Sequence, residues 1–554
     1  MVKKAGCIVG IVLLVFLALL GYWISLDRVP PLRYVPADSP VVVRCTDLEG
    51  LWARLEEHPC VQGAPPDVRE AVRRKLKLDK IPEPVSPLTQ QKISYTVGQE
   101  LVCAFPGGTG EQPVLATKIH PLLKVAEWAA RKAGQVQLDA KDGFPVRNVD
   151  VGKGQKLHYV LLSRTFYGSM DREQLLACLN TGSPLETDGD YQTLRAKVSP
   201  DEGLEAFIDF QKLSPGLAEA PVAPKKGLLL ARLGEEGDLL LEGSIDMGGE
   251  KEHQMQKIAP GELEALTAVP QESLLVLATD WSQPLGDTMK LLSKLMNNDN
   301  LDPDNLGVWL SLLTVFDLDI QTDLLEAGQE ELALVVQDLD VNEVVPVPEL
   351  TLMLKSSNPD ATRDLMYKTL DTVMNNEDCR ELLKNYAPQL VVSEEMLPFF
   401  EMQEKELDGV KVYAMPNVPL GRMVQPELSA YGDFFYLSTS EQALEAFLAA
   451  AKTGKNLAGR PGYGDWRKRR CNASLFVNVG EISKRMEALD EELATLGLLR
   501  DMDLEKFEKE RRPLYEAIQY MDGLLLCLGI QGGEMTLDGR LHWVGPAGPK
   551  TTVE

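Results

Sequence analysis

Histidine is scarce in this chain: five in 554 residues, standing far apart at His58, His120, His158, His253 and His542. There is no HExxH, no CxxC and no Cys/His cluster of zinc spacing, which removes the sequence-local metal sites. A Gly-x-Ser-x-Gly elbow and a Ser-x-x-Lys pair are also missing, and with them the compact signatures of serine hydrolases. Phosphate loops fail on context. The stretch 105–113 (FPGGTGEQP) lies between two expected strands and 452–460 (KTGKNLAGR) follows a helix, whereas a phosphate cradle leads from a strand into a helix. Positive charge is in deficit, 57 Lys and Arg against 83 Asp and Glu, for a net charge of −26. A field of that sign repels phosphate backbones and excludes a nucleic-acid partner. Apolar residues at 44% exclude a mainly disordered chain, and the length exceeds one ordinary core.

Cysteine gives no framework. Beyond Cys7, seven are scattered at Cys45, Cys60, Cys103, Cys178, Cys379, Cys471 and Cys527. Their number is odd, their spacing unpaired, and their settings apolar (LVCAF, LLACL, LLLCL), as for buried small hydrophobes. No disulfide connectivity follows from the sequence.

One long apolar run is present. Lys3 and Lys4 precede residues 5–26, AGCIVGIVLLVFLALLGYWISL, which at about 1.5 Å per residue reach across the roughly 30 Å of a bilayer core. Tyr22 and Trp23 suit the headgroup level. The segment around Leu19-Leu20-Gly21-Tyr22 lacks the small residues of a signal-peptidase site, and Cys7 precedes the run, so it forms no lipobox. The expectation is an uncleaved signal anchor with residues 1–4 cytoplasmic and residues 27–554 extracytoplasmic, on the periplasmic side in a bacterium. Lys3 and Lys4 are nearly balanced by Arg28 and Arg33, so orientation rests on the short tail and long body.

The body repeats itself. Residues 35–47 (VPADSPVVVRCTD) return as 269–280 (VPQESLLVLATD), each a turn and an aliphatic strand ending in Asp before a helical pattern. Gly98-Gln99-Glu100 leads into LVCAF, and Gly328-Gln329-Glu330 into ELALVV. A strand, a joint holding Lys118 or Lys355, and an amphipathic helix follow from Pro113 and from Pro348. Asp142-Gly143 and Asp408-Gly409 mark hairpins. An aromatic strand then enters a helix opening with Glu173-Gln174 or Glu441-Gln442, with Ser438, Thr439 and Ser440 as candidate caps in the second copy. Strands at 206–210 and 475–479, and hairpins from Gly227 and Gly523, close the series.

The expected fold class is therefore α+β: a tandem duplication of a mainly antiparallel sheet module with helices covering one face, plus an N-terminal transmembrane helix. The modules span 35–247 and 269–543, with a spacer at 27–34, a linker at 248–268, an inserted helical region at 481–521 in the second copy, and a tail at 544–554. In layout the chain resembles a bacterial domain-of-unknown-function family of N-terminally anchored envelope proteins, on the stretches 35–47, 98–105, 328–336 and 434–448. That resemblance implies no activity, cofactor or site residue.

Local candidates for chemistry each meet a plainer reading. The loop 297–305 (NNDNLDPDN) offers Asp299, Asp302 and Asp304 to calcium, but Leu306 and Leu313 stand where ligands belong, so a solvated capping loop is favoured. Ser169 and Ser438, between an aromatic strand and a helix, read as caps rather than nucleophiles. Asp47 and Asp280 recur as an acid pair and read as caps too. The basic cluster Arg467, Lys468, Arg469 and Arg470, after Trp466, offers a contact for an anionic lipid or polymer, against a solvated loop as the plain reading. Residues 69–80 carry a second basic run.

No catalytic, cofactor or metal residue is expected. The functional expectation is a non-enzymatic binding or scaffolding protein of the cell envelope, held to inner-membrane lipid by its anchor and meeting an envelope protein or lipid ligand. The alternative is a carrier of lipid or another hydrophobic ligand, with helix 285–295 able to line its cavity, and a hydrolase assembled around His120 or His158 stands third.

Overall fold

The computed structural model describes residues 29–58, 100–107, 112–119, 121–134, 136–139, 143–152, 154–199, 203–214, 223–234, 238–248, 260–280, 331–340, 347–378, 381, 401–415, 425–460, 463, 469–498 and 504–543. Among these no helix is long and apolar enough to cross a membrane. The anchor expected at 5–26, the acidic loop 297–305, helix 285–295 and the basic run 69–80 lie outside the described residues. Internal contacts divide the chain into two compact units, the first holding the described residues up to Gly248 and the second those from Pro260.

Unit 1 contains β1 (Val41–Cys45), α1 (Leu48–Glu57), β2 (Leu101–Phe105), β3 (Val114–Lys118), α2 (Pro121–Lys132), β4 (Gln137–Asp139), β5 (Val146–Gly152), β6 (Gln155–Leu162), β7 (Thr165–Ser169), α3 (Arg172–Leu179), α4 (Gly189–Arg195), β8 (Leu204–Asp209), α5 (Phe210–Leu213), β9 (Ala223–Leu233) and β10 (Leu239–Gly248). Every pairing is antiparallel, and the strands lie in the order β4-β5-β6-β7-β3-β2-β1-β8-β9-β10.

Unit 2 contains β11 (Leu275–Asp280), β12 (Glu331–Asp340), β13 (Val347–Lys355), α6 (Pro359–Asn375), β14 (Gln403–Leu407), β15 (Val410–Ala414), β16 (Glu427–Tyr431), β17 (Phe434–Ser438), α7 (Glu441–Thr453), β18 (Ala473–Val477), α8 (Val479–Thr495), α9 (Leu504–Glu510), α10 (Arg512–Gln519), β19 (Met521–Gln531) and β20 (Glu534–Trp543). Its order is β14-β15-β16-β17-β13-β12-β11-β18-β19-β20, again all antiparallel. Strand for strand this is the order of unit 1.

Local signals act where the sequence places them. Asp408-Gly409 turns β14 into β15 with φ of 52° and 80°, the left-handed pair that a two-residue hairpin requires. Asp171 caps α3 by accepting from the N–H groups of Glu173 and Gln174, and Ser440 caps α7 through Ala443 N. Ser169 and Ser438 each end a strand: the Ser169 hydroxyl accepts from Asp171 N at 3.1 Å, just before α3, and donates to Pro113 O, while the Ser438 hydroxyl meets that of Thr351. Asp47 does cap, its Oδ1 accepting from Gly50 N at 2.9 Å.

Three expectations need correction. Helices do not keep to one face. In unit 2, α7 packs Leu444, Phe447 and Leu448 on the side of Met353 and Tyr436, while α6 lays Met366, Tyr367 and Leu370 on Leu354 and Phe435, the opposite side. Successive strand residues point to opposite faces, so both surfaces of the outer strands need cover. Secondly, the spacer and linker are partly fold. Residues 31–34 form a 3-10 turn that places Leu32 in the core of unit 1, and residues 264–267 form its counterpart with Leu266 in the core of unit 2. Thirdly, the equivalence of the two units shifts by one residue at three places. Strand register matches Asp280 with Thr46, not Asp47, Glu100 with Glu331, not Glu330, and Gly227 with Leu524, not Gly523. A one-residue slip would turn each strand's core side chains outward, so burial decides between the two. Leu228 and Leu230 are buried, as are their register partners Leu525 and Cys527.

Candidate functional site

Polar residues buried on these strands are where chemistry would be sought, and in unit 1 one network gathers on Glu205. Arg44 on β1 donates from Nε to Glu100 at 2.9 Å and from Nη1 to the Tyr191 hydroxyl at 3.3 Å, with Glu205 at 3.4 Å. Glu205 on β8, only 2% exposed, also takes Arg195 Nε at 2.6 Å and the Tyr191 hydroxyl at 3.2 Å. Burial works against the Arg44 charge, but Glu100, Tyr191 and Glu205 outweigh it and hold its pKa above the ordinary value. Burial, then Glu205, push the Tyr191 phenol up.

Unit 2 places Ala278 at the position of Arg44 and Ser474 at that of Glu205. Glu331, equivalent to Glu100, instead accepts from the N–H groups of Glu264 and Ala265 in the 3-10 turn, at 2.9 and 2.7 Å, where Glu100 is served by a guanidinium. Tyr463 and Phe476, by contrast, repeat the edge-to-face pair of Tyr191 and Phe207, with centroids 5.4 and 5.6 Å apart. In unit 1 Arg44, Arg195, Tyr191 and Glu205 thus pair mainly with one another.

A second cluster, on β14, β16 and α7, joins Lys405 to both Glu427 and Glu441. Burial raises the Glu427 pKa against the opposing Lys405. His158 stands at the register position of Glu427, its Nδ1 2.7 Å from Asn148 Oδ1, and burial, with Arg172 and Lys156, lowers its pKa. Its Nδ1 thus faces an amide rather than an acid. His120 lies outside the described residues. Among the described residues no three His, Cys, Asp or Glu gather as a metal site.

Of the basic cluster, Trp466, Arg467 and Lys468 lie outside the described residues. Arg469 pairs with Asp538 at 2.7 Å, and Arg470 is exposed.

The face of the sheet opposite the main core is unlike any of these. In unit 2 six leucines stand in register on consecutive strands: Leu437, Leu352, Leu334, Leu277, Leu475 and Leu526, from β17 through β13, β12, β11 and β18 to β19. The rows beside it continue with Val336, Leu275, Val477 and Leu524, and with Leu332, Thr279, Ala473 and Leu528. No charge interrupts them. Helix α6 covers the β17 end, where Leu437 packs, but at the centre Leu277 and Leu334 remain 44% and 40% exposed. Unit 1 carries the smaller row Leu115, Cys103, Val43, Ala206 and Leu229, with Leu115 and Leu204 exposed.

Central strands apolar on both faces belong to sheets buried on both sides, and a contiguous exposed apolar face marks an interaction site. Sequence alone carried the signal, in the near-continuous runs LLVLATD and ELALVV, but not the register that aligns the leucines.

No protein-family model matches the chain, and no curated protein matches it. Among solved structures, crystal form I of TP0453 is similar at 10% identity with a TM-score of 0.23, over 41% of this chain and 82% of that one. A likeness so slight defines no shared fold.

Proposed function

We propose that the chain is a membrane-anchored binding or scaffolding protein of the cell envelope, non-enzymatic, built by tandem duplication of one α+β module and related to the anchored envelope proteins it resembles. The leucine ladder carries this reading: six aligned leucines with an uncovered centre form a surface for an apolar partner. Support for a non-catalytic role comes from the polar clusters, where Arg44, Arg195 and Tyr191 gather on Glu205 and Lys405 joins Glu427 to Glu441. The identical strand order of the two units supports duplication, and residues 5–26 support the anchor.

One observation favours the second reading, a lipid or hydrophobic-ligand carrier. The open rows are aliphatic with a single hydroxyl, Thr279, so they offer acyl chains dispersion contact and a polar ligand almost nothing.

Native mass spectrometry of the full chain, extracted from membranes in a lipid-free detergent, tests both. A bare protomer or a discrete protein complex is the outcome expected of a scaffold. A reproducible extra mass, recovered in organic solvent as one lipid class, promotes the carrier. Release of the chain from membranes by alkaline carbonate would sink the anchor.

A further inference from the structure

Cys471 and Cys527 meet inside the core of unit 2. Cys471 is held just before β18 by a two-way backbone bridge, its N–H donating to Gly261 O at 2.8 Å and its carbonyl accepting from Gly261 N at 3.2 Å. The next residue is tied to β19, Asn472 N to Leu528 O at 2.7 Å, and Ser474 stands opposite Cys527 in the ladder. Both thiols belong to one core cluster, 3% and 4% exposed, and the two side chains are hydrogen-bonded to each other. Unit 1 has Leu230 at the register position of Cys527, so the pair is peculiar to unit 2.

We propose that Cys471 and Cys527 form a disulfide that closes the loop 472–526, tying down β18 and the three helices α8 to α10. Neighbouring thiols close to a disulfide when the sulfurs reach a bond length of about 2.05 Å. The reaction takes a disulfide as oxidant. One cysteine thiolate attacks it, forming a mixed disulfide and releasing a thiol. The second cysteine, losing its proton, displaces the other thiol and completes the bond, so two hydrogens and two electrons pass to the oxidant. Burial excludes reagent from the finished core, so the bond forms while the chain folds. The hydrogen bond to Cys527 and burial push the Cys471 thiol up, which further slows attack once the core has closed.

The test is independent of where the protein resides. The full chain is refolded in a buffer of oxidised and reduced glutathione, trapped with iodoacetamide and mapped without reduction. The expected result is a peptide pair joined through Cys471 and Cys527, lighter by two hydrogens than its parts, absent in Cys471→Ser and kept in Cys178→Ser. Both thiols alkylated in folded protein, or either one joined to a different cysteine, overturns the proposal. Should refolding fail, the same map is run on chain exported into a host's oxidising compartment behind an added signal sequence, with the same two outcomes decisive.

Discussion

Removing the Glu205 carboxylate by Glu205→Ser strips Arg44 and Arg195 of their shared acid. Deleting one partner of a buried ion pair costs about 3–5 kcal/mol. Here the guanidinium side chains are 25% and 22% exposed and can turn toward water, so the expected loss is reduced to about 2–3 kcal/mol. For a unit of this size that is a fall of roughly 5–10 °C in its melting temperature. Arg44→Ala alone leaves Glu205 with Arg195 and Tyr191, and strands only Glu100, for about 1–2 kcal/mol. Unit 2 shows that Ala and Ser are compatible neighbours at these two positions, as Ala278 and Ser474. The double variant Arg44→Ala/Glu205→Ser is therefore expected to cost less than the sum of the singles, by about 1–2 kcal/mol. Hydrogen exchange in urea, read by mass on peptides of unit 1, isolates this unit from the other. Additivity to within about 0.5 kcal/mol would show that the carboxylate and guanidinium do not act together, and would refute the reasoning.

Three further outcomes are expected. Leu277→Thr with Leu334→Thr removes the two open leucines; each forfeits about 1 kcal/mol of apolar burial against the ligand, so an acyl probe covering them should bind roughly 30-fold more weakly, measured by fluorescence titration, and unchanged affinity would place the ligand elsewhere. Glu427 has a folded pKa above its ordinary 4.5, so the folded state binds its proton more readily and its contribution to stability grows as pH falls toward that value. Glu427→Gln should thus gain most over the parent near neutral pH, the gap in urea midpoint narrowing on acidification; a widening gap has the sign wrong. Ser440→Ala deletes the cap of α7 at about 1 kcal/mol, read as a lower urea midpoint for unit 2, and Ser440→Asp should restore it.

Much of the plan is legible in the residues because its causes are local. Caps at Asp47, Asp171 and Ser440, the Asp408-Gly409 turn and the period of two along each strand depend on near neighbours in the chain. So does the ordered recurrence of segments, since each copy carries its own turns and runs. The spacer and linker are not legible as fold because a short 3-10 turn has no periodicity; only tertiary packing reveals that Leu32 and Leu266 are core.

Sequence by itself determined an acidic, repeated, mixed α and β chain with a run long enough to span a bilayer, because composition, turn chemistry and apolar periodicity are properties of the chain in one dimension. Tertiary structure alone decided the strand order, the one-residue shifts between the two units, the closing of Arg44 on Glu100, the approach of Cys471 to Cys527 and the alignment of six leucines. Each depends on which strands lie side by side and in what register. Alternation along a strand specifies only which face a side chain takes; its neighbours across the sheet come from parts of the chain far away.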